Sequence, residues 1–241
     1  MPELPEVTAL AADLGARLAG HTVRRLEMVS FSALKTFDPP VESLAGQPIH
    51  GVGRHGKFLD ITIGDLHLVI NLALAGWIRW RDTEAPRSKR PGRGPLSARL
   101  VLDDGSGFDV TEWGTKKSVA LWVVRSPNDV PRIAGLGPDP LAAGFTIEHF
   151  RSILSAAGRA QIKGVLRNQS LIAGIGNAYS DEILHAARMS PFKPSDMPAE
   201  DSGQLFLAMR QTLADAIARA DGVAASELKA EKKSGLKVPG R

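Results

Sequence analysis

Residues 161–191 read QIKGVLRNQSLIAGIGNAYSDEILHAARMSP. A short helix over 161–168 runs into Gly174-Ile175-Gly176-Asn177, and that turn opens a second helix over 178–189. Two glycines permit a tight turn and a close backbone approach. Asn177 is expected at the N-cap, where free backbone N–H groups face outward and take up phosphate readily. Lys163 and Arg167 lie one turn apart on the first helix. The pattern reads as a helix–turn–helix that grips a nucleic-acid backbone, or as an ordinary corner between two helices with a glycine-rich turn.

Working outward, the second helix places Tyr179, Ile183, Leu184 and Ala187 on one inward face. Upstream, Thr146 is an N-cap for a helix carrying Ile147, Phe150, Ile153 and Leu154. Downstream, residues 200–220 form a further helix. Before this helical part, Pro127, Pro131, Pro138 and Pro140 punctuate a linker over 126–145. The first half is strand-like. Segments 22–29, 49–53, 57–63, 66–72, 77–80, 98–102, 107–110 and 119–124 are short, rich in β-branched or aromatic residues, and bounded by Gly, Pro or Asp. Such a series suggests a sandwich or barrel. Residues 3–19 are a helix whose Val7, Leu10, Leu14 and Leu18 share a face, with Gly20 as its stop. The expected class is α+β: an N-terminal helix and β-sandwich over 1–125, the linker, and a helical domain over 146–241.

The 241 residues carry 30 Lys+Arg against 26 Asp+Glu, a formal charge of +4, and are 43% hydrophobic. That is enough apolar side chain for a packed core and too much for a disordered chain. The mild positive charge permits a polyanionic partner without demanding one. No apolar stretch approaches the ~18 residues of a membrane span, and the acidic, Pro-rich start is unlike a secretory signal. Cysteine is absent, which rules out disulfides, thiolate metal sites and cysteine nucleophiles and agrees with a cytoplasmic location. Positive charge clusters at 87–93 (RSKRPGR) and in the tail at Lys229, Lys232, Lys233, Lys237 and Arg241. Each cluster reads equally as solvated surface or as phosphate contact.

Two further features carry chemistry. Met1-Pro2 is a sequence from which the initiator is normally removed, which exposes a secondary amine. Such an amine attacks an electrophilic sugar carbon to give an iminium, and an α-amine has a pKa of about 8, well below that of lysine. Glu3 and Glu6 flank it on the first helical turn, where they can shuttle protons; acidic residues also favour helix starts for dipole reasons alone. The second feature, Gly53-Arg54-His55-Gly56-Lys57-Phe58, reads as a hairpin presenting Lys57 near its tip. There Lys57 is either a phosphate-gripping point charge or an ordinary solvent-facing turn residue.

PELPEV at 2–7, RHGKFL at 54–59, LGPDPL at 136–141 and NQSLIAGIGNAYSDEILHAARMSP at 168–191 together closely resemble the formamidopyrimidine-DNA glycosylase / endonuclease VIII family. The resemblance spans nearly the whole chain. It implies a β-sandwich and a helix–two-turns–helix domain with damaged or abasic double-stranded DNA between them. It also implies a monomeric glycosylase and abasic-site lyase that has no membrane association. Pro2 is implied to attack C1′ and hold the sugar as an iminium, Glu3 to act as general acid/base, and Glu6 to support the same site. Lys57 is implied to bind a phosphate, Asn177 and its helix start to hold the backbone with Lys163 nearby, and Arg54 to contact DNA. The damaged base is flipped out, because the nucleophile cannot reach C1′ inside a duplex.

The chain departs from the family pattern in several places. SGLKVPGR at 234–241 resembles the segment leading into a four-cysteine zinc finger, yet no cysteine is present, so no metal cofactor is expected. Leu74, in Asn71-Leu72-Ala73-Leu74-Ala75-Gly76, stands where the family has a void-filling Met. Glu112-Trp113-Gly114-Thr115-Lys116-Lys117 replaces an Arg-rich segment. Trp113 there either stacks into the duplex or packs in the sandwich, and Lys116 and Lys117 stand in for the lost arginines at DNA. Thr8 replaces a usual Glu. Residues 222–235 do not match the capping loop of purine-specific members, which argues against a strict 8-oxoguanine enzyme. Three readings follow: a glycosylase/lyase acting on oxidised bases, a DNA-binding paralogue without catalysis, and an abasic-site lyase alone.

Overall fold

A computed structural model describes residues 1–84, 86, 94–113 and 117–238. The apolar spacing of the first segment forms helix α1 (Leu4–Leu18), with Val7, Leu10, Leu14 and Leu18 all buried. Gly20 follows the C-cap Ala19 at φ +77°, the left-handed stop that glycine adopts without strain.

The strand segments form two four-stranded antiparallel sheets rather than a closed barrel. One runs β1 (Val23–Met28), β6 (Leu96–Leu102), β7 (Gly107–Glu112), β5 (Gly76–Arg81). The other runs β2 (Ile49–His55), β3 (Phe58–Ile63), β4 (Leu66–Asn71), β8 (Ala120–Val124). Their inner faces meet through Leu59, Ile61, Leu68 and Ile70 on one side and Leu100, Phe108 and Val110 on the other. The inward face of α1 joins this same core. Burial of this continuous apolar set holds the first helical turn, and the residues on it, rigidly against the sandwich.

After β8 the chain forms a short helix α2 (Pro131–Ala134), and Val130 and Ile133 pack on Phe58, Val69 and Trp122. The helical part is α3 (Ile147–Ala157), α4 (Ile162–Arg167), α5 (Asn177–Ala186) and α6 (Ala199–Ala220). The Thr146 side chain accepts the His149 N–H at 3.2 Å and caps α3 as its sequence suggests. Phe150, Leu166, Ile175, Ile183, Leu205 and Met209 form a separate core.

One element has no sequence signature. Helix α7 (Leu228–Gly235) is half charged, yet Ala225 and Leu228 are buried in the sandwich core. The Trp77 indole N–H fixes its approach by donating to the Ala225 carbonyl at 2.7 Å. No helix among the described residues is long and apolar enough to cross a membrane.

Candidate active site

The start of α1 meets the start of α5. Leu4 N–H donates to the Gly174 carbonyl at 3.0 Å. The Glu3 carboxylate accepts backbone N–H bonds from Gly176 at 2.6 Å, Ala178 at 3.1 Å and Tyr179 at 3.3 Å. The glycines are required by this contact. A Cβ on Gly176 would lie 2.5 Å from Glu3 Cδ, and one on Gly174, already at φ +91°, would lie 2.7 Å from Leu4 Cβ. This corrects two expectations. Gly176, not Asn177, is the N-cap, and Asn177 is the first helical residue with an exposed side chain. The amides of Gly176, Ala178 and Tyr179 at the start of α5 hold the protein's own carboxylate instead of facing an external phosphate; the helix end still serves as an anion site.

Glu6 lies beside Glu3, and the two are 1% and 2% exposed. Glu6 accepts the Glu3 backbone N–H at 2.8 Å, the Tyr179 hydroxyl at 2.7 Å and Lys232 Nζ at 2.7 Å. Burial, then the neighbouring Glu6 carboxylate, pushes the Tyr179 phenol well above its ordinary value, so it stays a hydrogen-bond donor. Lys232 Nζ also lies 3.8 Å from Glu3 Oε1, sits over the Tyr179 ring at 4.7 Å from its centroid, and donates to the Met1 carbonyl at 3.1 Å. Sequence reasoning finds Lys232 only as one of several tail lysines. Nothing in the local pattern marks it, because its placement depends on α7 packing against the sandwich.

Pro2 is buried at the mouth of this cluster. In the full chain Met1 acylates its nitrogen, and removal of Met1 turns that nitrogen into a secondary amine. In the chain that retains Met1, the Met1 amine is held below its ordinary pKa, first by burial and then by Lys232, against the opposing pull of Glu3 and Glu6.

Gly56 and Lys57 make the turn between β2 and β3, with Gly56 at φ +54°. A Cβ on Gly56 would lie 3.3 Å from Ala173 Cβ and 3.4 Å from Gly174 N, so this turn rests on the glycine-rich loop. Lys57, on the same turn, is half-buried. Burial lowers its pKa, Glu3 opposes that, and Lys232 and Arg167 lower it further.

A cavity of about 350 Å³ opens beside Pro2, lined by Leu74, Trp77, Arg79, Trp113, Lys229 and Lys232 among others. Leu74 and Trp113 are 70% and 65% exposed. Trp113 thus does not pack in the sandwich. Its backbone N–H donates to the Ala75 carbonyl at 3.4 Å, which ties the two apolar tips together. The turn that carries Leu74 is held by the Asn71 side chain, which accepts the Ala73 N–H at 3.1 Å, and by Gly76, where a Cβ would meet the Leu72 carbonyl oxygen at 2.3 Å.

Other expected DNA contacts are turned inward. Arg54 Nε donates to Thr8 Oγ1 at 2.7 Å and its Nη1 lies 2.7 Å from Asp139. It therefore clamps α1, through Thr8, to the LGPDPL segment. Lys117 Nζ folds back to donate to the Glu112 carbonyl, while the buried Glu112 carboxylate accepts the Ser118 N–H at 2.8 Å and the Val119 N–H at 3.2 Å. Lys163 is paired with Asp181 at 2.6 Å. Lys116 and the basic stretch at 87–93 lie outside the described residues.

Residues 1–113 match the family model of the formamidopyrimidine-DNA glycosylase N-terminal domain, and residues 136–227 match that of its H2TH domain. A formamidopyrimidine-DNA glycosylase of Roseiflexus sp. is 32% identical over 222 residues, 90% of this chain and 78% of that protein. The fold is similar to that of the Lactococcus lactis formamidopyrimidine-DNA glycosylase bound non-covalently to DNA with an abasic site. That match has a TM-score of 0.81 and 26% identity, and covers 95% of this chain and 85% of the other. It is also similar to the formamidopyrimidine-DNA glycosylase of Thermus thermophilus, with a TM-score of 0.78, 29% identity and 94% and 80% coverage.

Proposed function

The chain belongs to the formamidopyrimidine-DNA glycosylase family, and on that premise we propose how its own residues carry out base excision and strand cleavage. It is a DNA glycosylase of base-excision repair, with the abasic-site lyase activity of its family. The free Pro2 nitrogen attacks C1′ of the damaged nucleotide, the C1′–base bond breaks, and the sugar remains as an iminium. Glu3, at the shared start of α1 and α5, exchanges protons with the opening sugar ring and the departing base. Glu6, held by Tyr179 and Lys232, is the second carboxylate beside it. Loss of a C2′ proton and of the 3′ phosphate then cleaves the strand, and water releases the imine. The observation that carries this reading is the convergence of Pro2, Glu3 and Glu6 on one buried cluster beside a cavity, with Lys57 near enough to Glu3 to feel its charge.

Lys57 binds a phosphate flanking the lesion, and the exposed Asn177 contacts the backbone next to it. Leu74 and Trp113 enter the stack vacated by the flipped base, for which exposed apolar tips on a braced turn are suited. A four-cysteine zinc finger does not fit a chain without cysteine, and no step is assigned to one. A DNA substrate favours a location with the nucleoid in the cytoplasm. The test is strand cleavage across duplexes each carrying one oxidised base or an abasic site, with the native N-terminus and with one extra residue ahead of Pro2. Cleavage of an oxidised-base duplex that the extension abolishes supports the reading. Cleavage of abasic duplex alone leaves only the lyase, and binding without cleavage leaves a non-catalytic paralogue.

A further inference from the structure

We propose that Lys232 is a positioning residue for the N-terminal nucleophile: its ammonium, seated between the two buried carboxylates and the first peptide group, keeps the Pro2 amine in its unprotonated, attacking form. The inference rests on the reading of Pro2 as nucleophile. It is carried by geometry. Lys232 Nζ donates to Glu6 at 2.7 Å and to the Met1 carbonyl at 3.1 Å, and lies 3.8 Å from Glu3. The Met1 carbonyl carbon is bonded to the Pro2 nitrogen, so the ammonium stands beside the nucleophile itself. Its charged head sits over the Tyr179 ring, and the helix that carries it is anchored by Leu228 in the sandwich core.

The electrostatic need is plain. Two carboxylates at 1% and 2% exposure would by themselves hold a neighbouring amine protonated and therefore inert. Among the described residues, Lys232 is the basic side chain within ion-pair distance of either carboxylate. Its charge offsets theirs where the amine feels it. Arg79 from β5 and Lys229 from α7 line the cavity with Pro2, while Tyr179 from α5 bonds Glu6 and Lys57 on the β2–β3 turn interacts with Glu3 and Lys232. Glu231, also on α7, is directed to Arg219 at 3.3 Å. The Met1 amine, one residue before the Pro2 nitrogen, is lowered by burial first and by Lys232 next.

The experiment titrates the amine directly. Reductive methylation of the N-terminus by formaldehyde and cyanoborohydride is followed by peptide mass spectrometry across pH in the native protein, Lys232→Gln and Lys232→Arg. In parallel, borohydride trapping on abasic duplex is measured over the same range. Removing the charge should move the labelling midpoint and the acid limb of trapping upward by about one pH unit, and Arg should restore both. Lys232→Met, which keeps an unbranched stem over Tyr179, replaces Gln if that variant fails to fold. A midpoint that stays within about 0.2 unit in the uncharged variant, against the one-unit shift expected from a lost neighbouring charge, or a uniform loss of trapping at all pH, overturns the proposal. Native protein that labels normally but never traps DNA would instead overturn the nucleophile reading, and the labelling midpoint would still decide the role of Lys232.

Discussion

The Gly176 amide donates to the Glu3 carboxylate at 2.6 Å across 173 residues of chain. This bond, with those from Ala178 and Tyr179, joins the first turn of α1 to the first turn of α5. The side chain proposed as acid/base is thereby also a structural cap, and its rigidity comes from both cores at once.

Glu3→Gln tests that double duty. The amide presents a donor where backbone N–H groups already point, leaving at least one of them unsatisfied. We expect unfolding stability to fall by about 1–3 kcal/mol and trapping on abasic DNA to fall about 100-fold. Thermal denaturation and adduct yield measure the two separately. Loss of stability with full trapping would leave Glu3 a cap alone.

Lys57→Met keeps an unbranched stem of similar length and removes the charge. DNA affinity should weaken, and the slope of log K against log salt should become shallower by about one. Stability should change by no more than about 0.5 kcal/mol. An unchanged salt slope in fluorescence anisotropy would rule out the phosphate contact.

Trp113→Ala and Leu74→Ala remove side chains that are 65% and 70% exposed, so folding should be unaffected. Base excision from duplex should drop about tenfold or more for each, the scale of one lost stacking contact. Excision at the native rate in single-turnover assays would contradict the wedge assignment.

Asp60 gives a pH prediction away from the site. Burial raises its pKa, but the hydrogen bonds from His55 at 3.0 Å and His67 at 2.9 Å outweigh that and leave it below its ordinary value of 3.8. A carboxyl depressed on folding adds stability that is present above its unfolded pKa and lost as pH falls through the folded one. The native protein should therefore lose stability below about pH 4 more steeply than Asp60→Asn. Parallel curves in acid denaturation would refute this.

The elements legible in the sequence are those with local periodicity. Val7, Leu10, Leu14 and Leu18 mark α1, and the strands declare themselves by short β-branched runs between turn residues. Pro2, Glu3, Glu6 and Lys57 stand out because they sit in motifs. What local pattern does not show is pairing at a distance. Arg54 is expected at DNA and instead bonds Thr8 and Asp139, because an arginine's destination depends on which carboxylate the fold brings near. The amides at the start of α5 are expected to hold phosphate, but the fold supplies Glu3 first. Lys232 is invisible for the same reason: α7 is polar along most of its length, and two buried apolar residues, Ala225 and Leu228, place it.

The central claim is that the nitrogen of Pro2 bonds the sugar, and borohydride reduction on abasic duplex followed by peptide mapping tests it most directly. The expected result is one covalent adduct on a chain lacking Met1, located at Pro2. An adduct on Lys57, Lys232 or any other lysine, or equal yield from chains that retain Met1, would contradict it.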